Sequence, residues 1–238
     1  MNAAIVLSGG SGKRMHTEIP KQYMDLCGRP LITYSLEAFE NSFIDEIILV
    51  CGSGDEGYCK TELVDHYGYR KVKAIVPGGK ERYHSVAAGI RALSPDTEYV
   101  FIHDGARPFL TEAILKRAYD CVRECDACVV GMPSKDTVKI VNAEHVVQDT
   151  PKRDLVWQIQ TPQVFAYRLI RDAYEDLLRE EERLLAEGVT ITDDAMAVEL
   201  MSGHEVRVAE GSYTNIKVTT PEDLVSAQLF LERYGAGD

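Results

Sequence analysis

Residues 4–14 read A-I-V-L-S-G-G-S-G-K-R. The first four are apolar, and Ile5 and Val6 are β-branched, as is typical of a buried strand. The glycines that follow allow backbone amides to approach an anion closely, and two cations, Lys13 and Arg14, come directly after them. This stretch therefore predicts a first strand that runs into a phosphate-binding turn.

Two well-known phosphate motifs do not match this turn. A P-loop requires an earlier glycine and a Ser or Thr after the lysine, where this chain has Leu7 and Arg14. A dinucleotide-binding fingerprint requires a third glycine, where this chain has Met15. The glycines therefore belong to another kind of turn, and an NAD-binding dehydrogenase is the weakest alternative.

Short apolar runs alternate with amphipathic segments along the chain. The apolar runs lie at 4–7, 46–50, 73–76, 99–102, 127–130 and 205–208. The segments with helical spacing lie at 31–40, 82–93, 112–124, 167–187 and 193–201. A last helix is predicted to begin at Thr220 as the cap, with Pro221 in its first position. This alternation predicts an α/β fold, with a mostly parallel sheet covered by helices on both faces.

Residues 135–154 interrupt the alternation. Two short alternating runs, 138–141 and 145–148, flank Asn142-Ala143-Glu144, and this pattern predicts a β-hairpin. We therefore expect residues 1–238 to form one domain, with 135–154 inserted as a β-arm. An ordinary hairpin at the edge of the sheet is the alternative.

The composition excludes several classes of protein. The chain has 238 residues, of which 45% are hydrophobic and 27% charged, as in soluble globular proteins rather than disordered ones. It contains no apolar run of the roughly 18–20 residues that a membrane span needs, and its first residues resemble neither a signal nor a transit peptide. With 26 Lys and Arg against 38 Asp and Glu, the net charge of −12 disfavours non-specific binding of nucleic acid. A phosphorylated ligand would need a local basic cluster such as the one that follows the glycines.

The cysteines indicate a reducing setting. Six are spread along the chain, unlike the dense pattern of a disulfide-stabilised secreted protein. Cys121, Cys125 and Cys128 have helical spacing but lack the partners of a zinc site, so we interpret them as small apolar residues. We expect a cytoplasmic protein.

Several further segments follow the glycine turn in order. They are P-K-Q-Y (20–23), G-G-K-E-R-Y-H-S (78–85), H-D-G-A-R-P-F (103–109), K-D-T-V-K (135–139), D-T-P-K-R-D-L-V-W-Q-I-Q-T-P-Q-V-F (149–165), I-T-D-D-A (191–195) and N-I-K-V-T (215–219). Together with the opening stretch they resemble the sugar-phosphate nucleotidylyltransferases, above all the cytidylyltransferases that act on 2-C-methyl-D-erythritol 4-phosphate in non-mevalonate isoprenoid biosynthesis. The resemblance spans nearly the whole chain. It implies a Rossmann-like fold and the transfer of CMP from CTP to methylerythritol phosphate, with release of pyrophosphate.

The resemblance also implies roles for individual residues. Arg14 and Lys21 match the catalytic positions that stabilise the transition state. The positions that match nucleotide-binding residues are Ser8, Gly9, Gly10, Ser11, Gly12, Lys13, Gly79, Lys80 and Ser85. Asp104 matches a ligand of Mg²⁺, and the positions that match acceptor-binding residues are Arg107, Thr137, Arg153, Thr161 and Lys217. In relatives the arm crosses into a neighbouring subunit, so the resemblance implies a homodimer with a shared active site.

Three further interpretations rest on single segments. We assign His103 to structure, and Asp193-Asp194 to capping of a helix, rather than to chemistry. Ser8-Gly9-Gly10 departs from the usual Ala-Ala-Gly of the family and resembles the ribitol-5-phosphate cytidylyltransferases. Lys139 and the segments 153–157 and 191–195 favour the methylerythritol branch. A nucleotide-binding protein without catalytic activity remains the alternative from another class.

Overall fold

The computed structural model describes residues 1–10 and 20–235. Its strands are β1 (Asn2–Ser8), β2 (Asp25–Leu26), β3 (Arg29–Pro30), β4 (Glu46–Cys51), β5 (Val72–Pro77), β6 (Tyr99–Asp104), β7 (Ala127–Pro133), β8 (Ile140–Val141), β9 (Val147–Asp149), β10 (Trp157–Ala166) and β11 (Arg207–Glu210). Its helices are α1 (Ile32–Glu40), α2 (Glu56–Tyr58), α3 (Arg82–Arg91), α4 (Glu112–Cys125), α5 (Tyr167–Arg179), α6 (Glu181–Ala186), α7 (Asp194–Ser202) and α8 (Pro221–Tyr234). A π-helical segment, Cys59–Asp65, continues α2, and 3₁₀ turns lie at Lys21–Tyr23 and Arg153–Leu155.

The main sheet has seven strands among the described residues, in the order β11-β7-β10-β6-β1-β4-β5. All pairings within it are parallel except those of β10, which runs antiparallel to both β6 and β7. The carboxyl ends of β1, β4, β5 and β6 therefore meet at one edge, where ligands bind in open α/β sheets.

Helices cover both faces of this sheet because its central strands are apolar on both sides. In β1, Ala4 and Val6 pack with α1 and α4, whereas Ala3 and Ile5 pack with α3, α5 and α7. All four side chains are fully buried. The predicted α/β fold, with a mostly parallel sheet and helices on both faces, is confirmed.

The hairpin predicted within residues 135–154 is present as β8 and β9, which pair with each other apart from the main sheet. Its turn is longer than the alternation indicated, since the side-chain oxygen of Asn142 accepts hydrogen bonds from the backbone of Glu144 and Val146. His145, predicted to lie in a strand, instead lies in the turn with φ of 61°. That part of the prediction is wrong because the asparagine side chain extends the turn.

Other differences from the predicted elements have local causes. The segment predicted as one helix over 167–187 is divided at Glu180, where the backbone leaves helical geometry (ψ of 1°), into α5 and α6. The sequence does not predict β10. This strand is rich in polar residues and contains Pro162, and a proline inside a segment argues against its being a strand within a sheet. The start of α8 is confirmed: Thr220 and Asp223 each accept a hydrogen bond from the other's backbone amide. In residues 1–10 and 20–235, no helix is both long and apolar enough to cross a membrane.

Candidate active site

A cavity of about 360 Å³ opens where β1 and β6 end, large enough for a nucleotide. Gly9 and Gly10 after β1, the 3₁₀ turn after Pro20, the start of α3 and the end of β6 form its walls. The residues predicted from sequence that line it are Ser8, Gly9, Gly10, Lys21, Gly79, Lys80, Ser85, Asp104 and Lys217. The fold thus brings together residues from five separate segments of the sequence. Ser11, Gly12, Lys13 and Arg14 lie outside the described residues, and their roles remain predictions.

The second glycine turn is held tightly against β4. The amide of Gly78 donates to the carbonyl of Cys51 at 2.7 Å, and a Cβ at Gly78 would lie 2.7 Å from Ser85 Oγ. Ser85 Oγ in turn accepts a hydrogen bond from the amide of Gly79 at 3.1 Å. Glycine is therefore needed at position 78 for close approach, and the Ser85 hydroxyl holds the turn as well as lining the cavity.

Asp104, the last residue of β6, lies between two cations. Lys217 Nζ is 2.6 Å from its Oδ2, and Arg82 Nε is 3.3 Å from its Oδ1. Burial by itself would raise the pKa of Asp104, but the charges of Arg82 and Lys217 outweigh burial and hold that pKa well below its usual range. The carboxylate is therefore ionised at neutral pH, facing a cavity that also contains Lys21.

Arg82 was not predicted as a site residue, yet it connects the cavity to the core. Its guanidinium makes two parallel hydrogen bonds to Asp194, at 2.7 and 2.8 Å, and Asp194 is fully buried. The Tyr174 hydroxyl donates to the same carboxylate, and the side-chain oxygen of Gln163 accepts from the Asp194 amide. The coulombic attraction of Asp194 keeps the pKa of Arg82 raised although burial by itself would lower it.

The neighbouring residues Asp193 and Asp194 have different structural roles. Asp193 caps α7, since its Oδ1 accepts from the amide of Met196 at 2.9 Å, and the capping interpretation is confirmed there. For Asp194 that interpretation is wrong, because its carboxylate binds Arg82 inside the core. Arg82 and Asp194 both lie within motifs of the sequence, but no local pattern links two residues that are 112 positions apart.

A second cavity, of about 140 Å³, adjoins the first and shares Arg82, Asp104 and Lys217 with it. Arg107 and Thr161, both predicted to bind the acceptor, line this second cavity. Gln160, Thr192 and Asp193 also line it and were not predicted as site residues. A cation-rich wall thus separates two spaces that could each hold an anion.

The side chain of Arg107 is well placed within the second cavity. Its Nη1 donates to the carbonyl of Asn215 at 2.8 Å, while Nε is buried and has no hydrogen-bond partner among the described residues. Burial lowers the pKa of Arg107, but an arginine remains protonated at neutral pH. The positive charge of Arg107 at the wall of the second cavity favours an anionic ligand there.

The Thr161 hydroxyl is engaged with the strand beside it. It accepts a hydrogen bond from the amide of Asp104 at 3.1 Å and lies 3.0 Å from Nδ1 of His103. Burial lowers the pKa of His103 to about 4, so the imidazole is neutral, and its Nε2 lies 3.2 Å from the carbonyl of Arg107. A carbonyl only accepts, so Nε2 donates and Nδ1 accepts from Thr161. Both side chains thus hold Asp104 and Arg107 in place, which agrees with the structural role expected of His103.

Thr137 and Arg153 lie outside the lining of both cavities. Both are exposed on the segment that carries β8 and β9, and neither is among the described residues that line the two cavities. One copy of the chain therefore does not bring them to the other predicted acceptor residues. Their assignment remains a prediction that depends on a second copy.

Comparisons with known proteins give consistent results. A family model described as IspD, 2-C-methyl-D-erythritol 4-phosphate cytidylyltransferase, matches residues 2–233. A protein of that name from Lachnospira eligens is 48% identical over 233 residues, covering 98% of this chain and 100% of the relative. A second from Lachnoclostridium phytofermentans is 45% identical over 231 residues, covering 97% and 96%. A solved structure of 4-diphosphocytidyl-2C-methyl-D-erythritol synthase from Anaerococcus prevotii is 36% identical, with a TM-score of 0.82 and coverage of 98% and 96%.

Proposed function

The chain belongs to the 2-C-methyl-D-erythritol 4-phosphate cytidylyltransferase family, and from that premise we propose that it transfers CMP from CTP to 2-C-methyl-D-erythritol 4-phosphate. The products would be 4-diphosphocytidyl-2-C-methyl-D-erythritol and pyrophosphate. The reaction serves isoprenoid precursor biosynthesis.

One observation carries the proposal: two cavities share a wall made of Arg82, Asp104 and Lys217. The larger cavity is lined by Gly9, Gly10 and Gly79 and suits a nucleoside triphosphate. The smaller is lined by the partly buried Arg107 side chain and suits the phosphate of the acceptor. A transfer between two phosphates requires this adjacency, because the attacking oxygen must reach the α-phosphorus in line with the bond that breaks.

The chain's own residues then have defined tasks. An acceptor phosphate oxygen forms a bond to the α-phosphorus, while the bond between that phosphorus and the bridging oxygen of the β-phosphate breaks. Lys21 would stabilise the negative charge that grows on the triphosphate, together with Arg14, whose position lies outside the described residues. Lys217 and Arg107 would orient the acceptor phosphate, and Arg82 would hold Asp104 in position.

Asp104 fits a Mg²⁺ ligand in chemical type. It is an ionised carboxylate facing the nucleotide cavity, and Mg²⁺ is commonly held by one or two carboxylates together with substrate phosphates. Among residues 1–10 and 20–235, no group of three or more His, Cys, Asp or Glu side chains is arranged to hold a metal ion, so the phosphates of CTP would supply further ligands. The bound ion would neutralise charge on the triphosphate.

We further propose that the arm, residues 135–154, reaches the active site of a second copy in a homodimer. Ile140, Val141, Val146 and Val147 are each 46–56% exposed on the arm. A two-stranded hairpin is marginally stable by itself, and exposed apolar side chains clustered on one favour its burial against another chain. In such a dimer Thr137 and Arg153 would complete the acceptor site of the partner. The six free thiols support the expected cytoplasmic location.

Pyrophosphate release tests the proposed function directly. We expect release only when CTP, Mg²⁺ and methylerythritol phosphate are all supplied. Equal or faster release with ribitol 5-phosphate would show that methylerythritol phosphate is not the preferred acceptor. No release with either acceptor would favour a nucleotide-binding protein without catalytic activity.

A further inference from the structure

The turn that carries Lys21 has little stability of its own. It is a single 3₁₀ turn, Lys21–Tyr23, whose backbone bonds are the Tyr23 amide to the carbonyl of Pro20 at 2.9 Å and the Met24 amide to the carbonyl of Lys21 at 3.2 Å. A turn of this length does not fix its own orientation in water. The orientation of the backbone that carries Lys21 therefore depends on the contacts that the side chains of this turn make.

Gln22 joins this turn to the end of β1. Its side chain is 2% exposed, and its Nε2 donates to the carbonyl of Ser8, the last residue of β1. The Ser8 hydroxyl is itself fixed by a hydrogen bond of 3.1 Å to the carbonyl of Val50. The lysine turn and the first glycine turn are thus attached to the same point of the sheet.

Tyr23 joins the turn to the segment that follows β4. Its hydroxyl is 3.3 Å from Asp55 Oδ2 and 3.2 Å from the thiol of Cys59, and its ring packs against Tyr58 with centroids 4.9 Å apart. Burial raises the pKa of Tyr23, so the phenol keeps the proton that it donates. The proposed transfer of CMP does not use this hydroxyl.

We propose that Gln22 and Tyr23 are positioning residues for Lys21: their side chains fix the lysine turn between β1 and the segment after β4, and so set where the ammonium meets the triphosphate. This inference rests on the proposed function of Lys21. Because catalytic positioning is sensitive to displacements of about 1 Å, loss of the Tyr23 hydroxyl should reduce turnover more than binding.

A double-mutant cycle tests the proposal by pyrophosphate release. We expect Tyr23→Phe to lower kcat about tenfold while changing the KM for CTP by less than about twofold. In a Lys21→Ala background the same substitution should change kcat by less than about twofold, because the group that it positions is gone. Gln22→Met should likewise lower kcat in the wild-type background and not in the Lys21→Ala background; its KM for CTP is no test of positioning, because Gln22 also lines the nucleotide cavity.

Tyr69→Phe is the matched control. It removes a buried hydroxyl that donates to the carbonyl of Thr33 at 3.0 Å, away from both cavities. It should lower the unfolding temperature without changing kcat. A wild-type kcat in Tyr23→Phe, or a full tenfold loss that recurs in the Lys21→Ala background, would overturn the positioning role alone. An inactive wild type would instead overturn the proposed function and this inference with it.

Discussion

Replacing Asp194 by asparagine should destabilise the fold far more than the same replacement at its neighbour, Asp193. Asp194 is fully buried, and both of its oxygens bind the guanidinium of Arg82. Asparagine keeps the shape but removes the charge and one acceptor. The cation would then face an amide donor within the core.

The magnitude follows from the geometry of this ion pair. Removing one partner of a buried pair generally costs about 3–5 kcal/mol of unfolding free energy. Arg82 keeps 30% of its side chain exposed and retains Asp104 as a second partner, so we expect the lower end, about 3 kcal/mol. For a domain of this size that corresponds to a fall of about 6–12 °C in Tm.

Denaturant unfolding at neutral pH, followed by circular dichroism, measures the difference. Asp193→Asn is the control. Asparagine caps a helix about as well as aspartate, but its amide group cannot accept the 2.8 Å hydrogen bond from Gln163 Nε2, so the unfolding free energy should fall by about 1 kcal/mol. If Asp194→Asn cost no more than this control, the buried ion pair would contribute no more than one neutral hydrogen bond, and the account of Arg82 would be refuted.

Three further predictions concern the site. Lys21→Ala should lower kcat for pyrophosphate release by about 10²-fold or more, the scale of losing one donor to the transition state. A near-normal kcat would show that Lys21 is not a catalytic residue. Arg153→Met should raise the KM for the acceptor far more than the KM for CTP, and equal effects on both would remove Arg153 from the acceptor site. His103, whose pKa is depressed by burial to about 4 from 6.5, stays neutral in the fold while the unfolded chain takes up a proton. The unfolding free energy should therefore fall, by up to about 3 kcal/mol, as the pH drops from 6.5 to 4, and His103→Gln should flatten this dependence in denaturation curves measured across that range.

The sequence predicts those parts of the fold that depend on local pattern. The two-sided apolar strands require helices on both faces, and the Thr220-Pro221 start of α8 follows from capping chemistry alone. The cavity at the end of β1 follows from the glycines and from the rule that parallel strands end at one edge. These features depend on neighbours within a few positions, so one sequence suffices.

The features that the sequence did not predict depend on contacts between distant segments. The capping residues in I-T-D-D-A show where a helix begins but not that Asp194 meets Arg82. The motif around Thr161 identifies the residue but not the partner of its hydroxyl, which is decided by the pairing of β10 with β6. Both are decided by tertiary packing, which a local pattern does not encode.

The reversed direction of β10 has a consequence for the evolution and engineering of this molecule. Trp157 at its start pairs with Pro133 at the end of β7, and the amide of Ser134 donates to the carbonyl of Val156 at 2.8 Å. The segment between β7 and β10, which includes the arm, therefore leaves and rejoins the main sheet at one place, where the two strands pair. Insertions, deletions or transplanted loops in this segment can change the exposed surface of the protein without altering the register of any strand in the main sheet.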